Sequence, residues 1–335
     1  MSKRSLVTNT PLKTPNRRLV PSIGARPRKP SSPGAESAST KLHIEKGLTA
    51  MFRYTAEILP YHDMPLEDAV RDLAEIGFTE VNLWSSASPL AHHVNPGDDP
   101  GKIRDVLDKY GMKPGGLTVY GKNQDEILER VQFAADLGID TVIFDCEANY
   151  SDFVGSFLPP IVEAGAKAGV RIAVENHLTV PFSADFESGG NEDKRWDEGV
   201  DTFAQIKRLV RDIDDPYLGV CLAPPHMWVM QETISEVIAF LTERKRLYYY
   251  YIWDVDRAYR HGLDGLNFGP GEKQLPSPDG TLDHRYLLTE LKRAGYEGAA
   301  SLKCHGTHGW SMEKIGREIR RSDAYIRDAY EALKK

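Results

Sequence analysis

Short apolar runs alternate with amphipathic helical segments eight times along this chain, and that alternation constrains the fold more than any other feature. Each run has the length of a strand, and in the segment after it apolar residues recur at helical spacing. Strands that alternate strictly with helices form parallel sheets, and eight such units close into a (β/α)8 TIM barrel. A doubly wound sheet is the alternative, but no strand is followed by the glycine-rich turn that a dinucleotide site needs.

The predicted elements fill the chain from residue 48 to residue 333. The strands are Leu48–Tyr54, Glu80–Trp84, Gly116–Tyr120, Asp140–Asp145, Val170–Glu175, Leu218–Leu222, Leu247–Trp253 and Ala299–Lys303. The helices are Pro65–Ile76, Lys102–Tyr110, Glu126–Leu137, Phe157–Ala168, Phe203–Asp212, Ile234–Leu241, His284–Ala294 and Met312–Leu333. Two connections, Thr179–Gly199 after the fifth strand and Asp256–Leu282 after the seventh, are long enough to predict lids.

The N-terminal segment differs in composition from the rest of the chain. It is rich in Pro, Ser and Arg, and residues 1–40 hold eight Lys or Arg against one acid, Glu36. Such a segment cannot bury enough apolar surface to offset the entropy that it would lose on ordering. We therefore predict a disordered tail over residues 1–44 and a single barrel domain over residues 45–335.

The charge of the barrel restricts its partners. Because the whole chain carries −7 and residues 1–40 carry +7, the remainder carries −14. An acidic body repels a phosphate backbone, which binds chiefly through Lys and Arg, so we expect no nucleic-acid partner. The sequence contains no run of 18 apolar residues, so we predict no membrane span. The three cysteines, Cys146, Cys221 and Cys304, are few and far apart, as is typical of a reduced, cytoplasmic protein without disulfides.

Alternation within the strands predicts which side chains face the barrel interior. In the fifth strand Val174 alternates with Ala173 and Glu175. The apolar set should pack on helices, which places Glu175 inward at the carboxyl end of its strand. The same reasoning places Ala223 and Lys303 at this end of the barrel, where barrel enzymes keep their chemistry.

Four segments occur in an order and spacing that resemble one enzyme family. Ile76–Trp84 is similar to that family's passage from the first helix to the second strand, with Asn82 where the family usually has Glu. Val174–His177 matches its strand-five motif, and Gly269–Gly271 and Leu291–Gly298 match the approach to strand eight. Over most of residues 46–305 the chain therefore resembles the sugar phosphate isomerase/epimerase family of xylose-isomerase-like barrels. The resemblance implies a small, sugar-like substrate, and a homo-oligomer is compatible with it.

The resemblance also implies a divalent cation, held by Glu, Asp, His and Glu at the ends of strands five to eight. Glu175 fills the first of these positions, but Ala223, Tyr251 and Lys303 stand at the other three. A hard divalent ion needs several oxygen or imidazole ligands, and a lysine ammonium opposes its binding. We therefore expect no metal at the family's usual position and no other cofactor.

A shifted set of ligands is the alternative to a metal-free site. Glu175, His226, Asp254 and His305 offer one ligand from each of strands five to eight, slightly beyond the usual positions. A Glu, His, Asp and His set is chemically suited to zinc or manganese, so a divalent cation (Mn, Mg or Zn) is the competing hypothesis.

The resemblance makes Glu175 the candidate base, and Lys303 with Tyr251 would stabilise the enolate that develops. Lys303 has two other interpretations, an inert salt bridge to Glu175 and a Schiff-base lysine. Burial lowers the pKa of a lysine and a nearby carboxylate raises it, so the sequence leaves these open. The predicted substrate-binding residues lie at or after strand ends: Asn82, Trp84, His93, Asp145, His177, His226, Asp254 and His305.

We predict an isomerase or epimerase that moves a proton at the carbon next to a carbonyl of a sugar or sugar-derived substrate. A sugar lyase or dehydratase shares this first step and remains an alternative. A catalytically inactive barrel that binds a ligand or partner is the alternative from a different class. The acidic body and the replaced ligands argue against a third option, a zinc endonuclease.

Overall fold

The computed structural model describes residues 52–86, 93–120, 123–145, 150–177, 199–258 and 268–334. In it, eight parallel strands pair in chain order, and the last pairs with the first to close a barrel. The strands are β1 Arg53–Glu57, β2 Glu80–Ser86, β3 Lys113–Tyr120, β4 Thr141–Asp145, β5 Arg171–Glu175, β6 Leu218–Leu222, β7 Leu247–Ile252 and β8 Ala299–Leu302. The predicted (β/α)8 TIM barrel is confirmed.

Helices separate the strands and surround the barrel. They are α1 Leu66–Ile76, α2 Pro100–Lys109, α3 Gln124–Leu137, α4 Tyr150–Asp152, α5 Leu158–Ala168, α6 Phe203–Asp212, α7 Pro224–Val229, α8 Ile234–Glu243, α9 Gly271–Gln274, α10 His284–Arg293 and α11 Met312–Leu333. A 3-10 turn covers Leu59–Tyr61, and a π-helical turn covers Phe153–Phe157. Within the described residues, no helix is long and apolar enough to cross a membrane.

The first strand lies later in the chain than the apolar pattern predicts. Residues 53 and 54 are in β1, but the strand continues to Glu57, where Ala56 pairs with Val81 and Glu57 with Asn82 of β2. The apolar pattern misses this end because Thr55 and Glu57 are polar and yet buried. The predicted start of the strand, residues 48–51, lies outside the described residues. So do the predicted tail, residues 1–44, and much of the two predicted lids, residues 179–198 and 259–267.

Local sequence signals set the ends of the helices. α6 begins with a capping box, in which the Thr202 hydroxyl accepts from the Gln205 amide and the Gln205 side chain bonds back to the Thr202 amide. α3 begins at Asn123, whose side chain accepts from the amide of Glu126. It ends at Gly138 with φ +75°, a left-handed conformation that glycine adopts without steric cost.

The barrel interior is filled by large side chains of β7 that face small residues on other strands. The hydroxyl of Tyr249 lies 3.4 Å from Thr55 Oγ1. At Gly116 a Cβ would lie only 3.0 Å from the Tyr249 ring and 2.5 Å from Asn82 Oδ1, so the missing side chain makes room for both. The interior is therefore a packed core that supports the polar groups above it. Cys221 and Cys304 are buried free thiols, and Cys146 lies outside the described residues.

Candidate active site at the carboxyl end of the barrel

A buried ion pair joins β5 to the end of β8. Lys303 Nζ lies 3.1 Å from Glu175 Oε1, and the two side chains are only 1% and 6% exposed. Both residues reach this position because the alternation of their strands turns them into the barrel rather than onto the helices. A carboxylate and an ammonium in such dry surroundings interact more strongly than they would in water.

Aromatic rings surround the ammonium of Lys303. Its Nζ lies 3.7 Å from the ring centroid of Tyr251, 4.8 Å from that of Trp253 and 5.2 Å from that of Trp84. Cations are attracted to the faces of such rings, most strongly where water is excluded. The three rings therefore fix the lysine head group and shield it from solvent.

Glu57 at the end of β1 is a second buried carboxyl group, which the sequence analysis missed. It is 1% exposed, and its Oε2 accepts hydrogen bonds from Asn82 Nδ2 and Trp84 Nε1, each at 2.5 Å. Burial raises the pKa of Glu57 to about 7, although the charge of Lys303 and hydrogen bonds from Ser301, Trp84 and Asn82 oppose the rise. This carboxyl group therefore exchanges its proton near neutral pH.

The signal for Glu57 lay in the register of the first strand. Tyr54 and Ala56 alternate with Thr55 and Glu57, so a strand that continues to Glu57 ends in an inward carboxyl group. Because the predicted strand ends at Tyr54, Glu57 falls outside it and is not recognised as an inward-facing residue.

A chain of hydrogen bonds links Glu57 to Tyr251 across the barrel. Asn82 Nδ2 also lies 2.7 Å from Thr118 Oγ1, which in turn lies 2.9 Å from the Tyr251 hydroxyl. Burial raises the pKa of Tyr251 well above its usual value, so this phenol keeps its proton. The hydroxyl of Tyr251 is thus engaged with Thr118, and the face of its ring is what meets Lys303.

Two histidines and an aspartate continue the site from Glu175 towards β4. His226 Nε2, on α7, lies 3.9 Å from Glu175 Oε1. The ring centroid of His177 lies 4.5 Å from that of His226, with the two rings tilted by 46°, and His177 Nδ1 lies 3.7 Å from Asp145 Oδ2. His177 and Asp145 have side chains 20% and 12% exposed, so this part of the site meets solvent.

His305 follows β8, on the side of the barrel opposite β4. Its ring centroid lies 5.0 Å from that of Trp253 and 5.9 Å from that of Trp84. Burial lowers the pKa of His305 well below its usual value, and the charges of Lys303, His177 and His62 lower it further. The imidazole is therefore neutral and can both donate and accept a hydrogen bond.

The other two predicted substrate-binding residues have different surroundings. Asp254 Oδ1 accepts from the amides of Val255 at 2.8 Å and Leu282 at 3.1 Å, and its Oδ2 lies 3.9 Å from His284 Nε2. Asp254 therefore anchors the segment that leads into α10, and burial raises its pKa to about 6. His93 Nε2 lies 3.0 Å from the carbonyl oxygen of Tyr61.

The residues at the family's usual metal position do not suit a divalent cation. Ala223 offers no ligand atom, the Tyr251 hydroxyl is engaged with Thr118, and the ammonium of Lys303 lies against Glu175. The shifted set of Glu175, His226, Asp254 and His305 is not assembled either, because no three of these described residues bring their ligand atoms within 4.8 Å of one another. We derive no step through a metal at either position.

Residues 70–335 match the sequence model of the xylose isomerase-like TIM barrel. The chain belongs to this family. Within it, the resemblance seen in the sequence is confirmed over most of the barrel. Comparison with curated protein sequences finds no significant match.

Solved structures with the same fold share little sequence with this xylose isomerase-like barrel. D-allulose 3-epimerase from Methylomonas sp. superposes with a TM-score of 0.61 at 12% identity, over 84% of this chain and 99% of that one. D-psicose 3-epimerase with D-tagatose from Clostridium cellulolyticum H10 superposes with a TM-score of 0.61 at 12% identity, over 83% of this chain and 99% of that one. L-ribulose 3-epimerase superposes with a TM-score of 0.60 at 13% identity, over 85% of this chain and 96% of that one. At these identities the comparison shows the fold.

Proposed function

We propose that this protein is an isomerase or epimerase that moves a proton at the carbon next to a carbonyl of a sugar or sugar-derived substrate, without a metal at the family's usual position. The observation that carries the proposal is the buried Glu175–Lys303 pair, enclosed by aromatic rings at the carboxyl end of the barrel. Several of the solved structures that superpose on the chain are of sugar 3-epimerases, which supports this substrate class.

Glu175 is the base in this proposal, and Lys303 stabilises the enolate. Removing the proton leaves negative charge on the former carbonyl oxygen, and a fixed donor in a dry site stabilises that charge strongly. The substrate oxygen would accept a hydrogen bond from Lys303 Nζ while Glu175 takes the proton. Tyr251 acts as a positioning residue, since its ring face holds Lys303 and its hydroxyl is held by Thr118.

Glu57 supplies the second acid–base group. Epimerisation removes a proton from one face of a carbon and returns one to the other face, so it needs two groups on different sides of the substrate. β1 and β5 lie four strands apart in a ring of eight, which sets Glu57 and Glu175 on opposite sides of the barrel. A pKa of about 7 suits a group that must hold and release a proton at neutral pH.

The remaining side chains suit a polyhydroxylated ligand. His177, His226 and Asp145 form a row of hydrogen-bonding groups beside Glu175. Trp84 and Trp253 present flat apolar surfaces beside Lys303. Sugar sites combine a few oriented polar groups with apolar walls in this way.

The test is solvent proton exchange. In deuterated water the protein should exchange the proton next to the carbonyl of a ketohexose or ketopentose, followed by NMR. Glu175→Gln should slow this exchange about 10²–10⁴-fold, the usual contribution of a positioned base. Glu163→Gln on the exposed face of α5 is the matched control and should exchange at the wild-type rate. A folded Glu175→Gln variant that exchanges as fast as wild type would rule the assignment out.

A lyase or dehydratase remains the second candidate, because Glu175 and Lys303 would perform the same first step. Loss of water from the substrate, detected by mass in the same reaction mixtures, separates it from an isomerase or epimerase.

A further inference from the structure

The loops after β1 and β8 bring together three side chains that take no part in the proposed reaction. His62 Nδ1 lies 3.1 Å from Asp63 Oδ1, and His308 Nδ1 lies 3.4 Å from Asp63 Oδ2. The two imidazole rings are nearly parallel, at 10°, with their centroids 5.5 Å apart. One ligand atom from each residue lies within 4.8 Å of the others, an arrangement found nowhere else in the part of the chain that the structure describes.

These separations match the spacing of ligands around zinc. Zinc in proteins is tetrahedral, with nitrogen and oxygen ligands at about 2.0–2.1 Å, so neighbouring ligand atoms are roughly 3.3 Å apart. The two nitrogen–oxygen separations, 3.1 Å to Asp63 Oδ1 and 3.4 Å to Asp63 Oδ2, fall on either side of that value. Two neutral imidazoles and a carboxylate are also the ligand types of many zinc sites that leave a fourth position for water.

Contacts between the two loops hold the ligands in place. The buried hydroxyl of Thr307 donates to the carbonyl oxygen of Pro60 at 2.9 Å, and the amide of Gly309 donates to Asp63 Oδ2 at 3.3 Å. The His62 side chain is 7% exposed, whereas those of Asp63 and His308 are 41% and 80% exposed. The group thus combines one fixed imidazole with two ligands that an ion can reach from solvent.

We propose that His62, Asp63 and His308 bind a divalent cation such as zinc, which links the loop after β1 to the loop after β8. The site differs from the family's usual metal position, which draws its ligands from strands five to eight. Its role is structural: the ion joins the first and last units of the barrel beside the candidate active site. It is independent of the proposed function, because neither Glu175 nor Lys303 is a ligand.

The experiment measures binding of Zn²⁺, and of Co²⁺ as a coloured probe, to the full chain after treatment with a chelator. Wild type should bind one ion per chain and show the visible bands of tetrahedral Co²⁺, and its melting temperature should rise with Zn²⁺. His308→Ala should weaken binding at least tenfold and abolish the rise; its side chain is 80% exposed, so the fold should survive. Asp63→Asn should do the same.

Two control variants and one activity measurement complete the test. Asp105→Asn, an exposed carboxylate on α2, and Glu175→Gln should bind the ion as wild type does. Chelation should lower the melting temperature and leave proton exchange unchanged. Equal Zn²⁺ affinity in wild type and His308→Ala would overturn the proposal, as would loss of binding in Glu175→Gln, which would place the ion in the active site instead.

Discussion

Lys303 is the residue through which the two carboxyl groups of the site influence each other. It lies 3.1 Å from Glu175, and its charge opposes the rise that burial causes in the pKa of Glu57. A charge held this far from water is costly unless it is compensated, and here a carboxylate and three aromatic faces compensate it. Changing any one of these groups therefore changes the environment of the others.

A double-mutant cycle separates the structural and catalytic parts of the Glu175–Lys303 pair. Lys303→Met should destabilise the protein by roughly 3–5 kcal/mol, because it leaves the Glu175 charge buried without its partner. The double variant Glu175→Gln with Lys303→Met should regain most of that stability and still fail to exchange substrate protons. The measurements are urea unfolding and proton exchange. An inert salt bridge predicts the same recovery of stability, but with no exchange in wild type on any sugar.

The second prediction at this scale concerns the pH dependence that Glu57 imparts. Its folded pKa of about 7 lies above the ordinary value of 4.5, so stability falls as pH rises from the lower value through the higher. The Glu57→Gln variant has no ionisable group at this position. Its free energy of unfolding, relative to that of wild type, should therefore rise by roughly 2–3 kcal/mol from pH 5 to pH 8. Asp254, His284 and His305 titrate alike in both proteins, so the difference isolates Glu57. Unfolding by urea at both pH values measures it; a constant difference would contradict the assignment.

At the scale of elements, β2 to β8 could be predicted because each carries an apolar run bounded by turn residues. The same alternation correctly predicts that Glu175 and Lys303 point into the barrel. The short helices α7 and α9, of six and four residues, were missed because they hold too few turns for a helical period. Asp254 could not be placed, since the chain has left β7 there and the amide of Asp254 donates to the carbonyl oxygen of Gln274 at 2.8 Å.

Gly280 offers a prediction about the segment that Asp254 anchors. A Cβ at this position would overlap Asp254 Oδ2 and approach the carbonyl oxygen of Ser277 at 3.0 Å. Gly280→Ala should therefore cost about 1–3 kcal/mol of unfolding free energy, because the added methyl group would overpack against the buried side chain of Asp254. The control is Gly155→Ala, where a Cβ would meet nothing within 4 Å. If the two variants unfold at the same urea concentration, the close packing around Asp254 is not as described.

At the scale of the whole molecule, the barrel closes within residues 53–302, because β1 pairs with β2 on one side and with β8 on the other. Deleting residues 1–40 should accordingly leave both the melting temperature and proton exchange unchanged. The reason is compositional: this basic, proline-rich segment lacks the apolar residues needed to join a core. Calorimetry on the truncated and full chains tests this, and a melting temperature several degrees lower after truncation would refute it.

The pairing of β1 with β8 also sets the order in which the protein can become active during synthesis. Arg53 pairs with Ala299, so 246 further residues must be synthesised before the partner of the first strand exists. At 5–20 residues per second, that wait is roughly 12–50 s on the ribosome. Glu57 is made near the start of this interval and Lys303 at its end. Any sheet that forms before β8 is made is therefore open, with two unpaired edges, and a message truncated before β8 yields neither a closed barrel nor the lysine of its candidate active site.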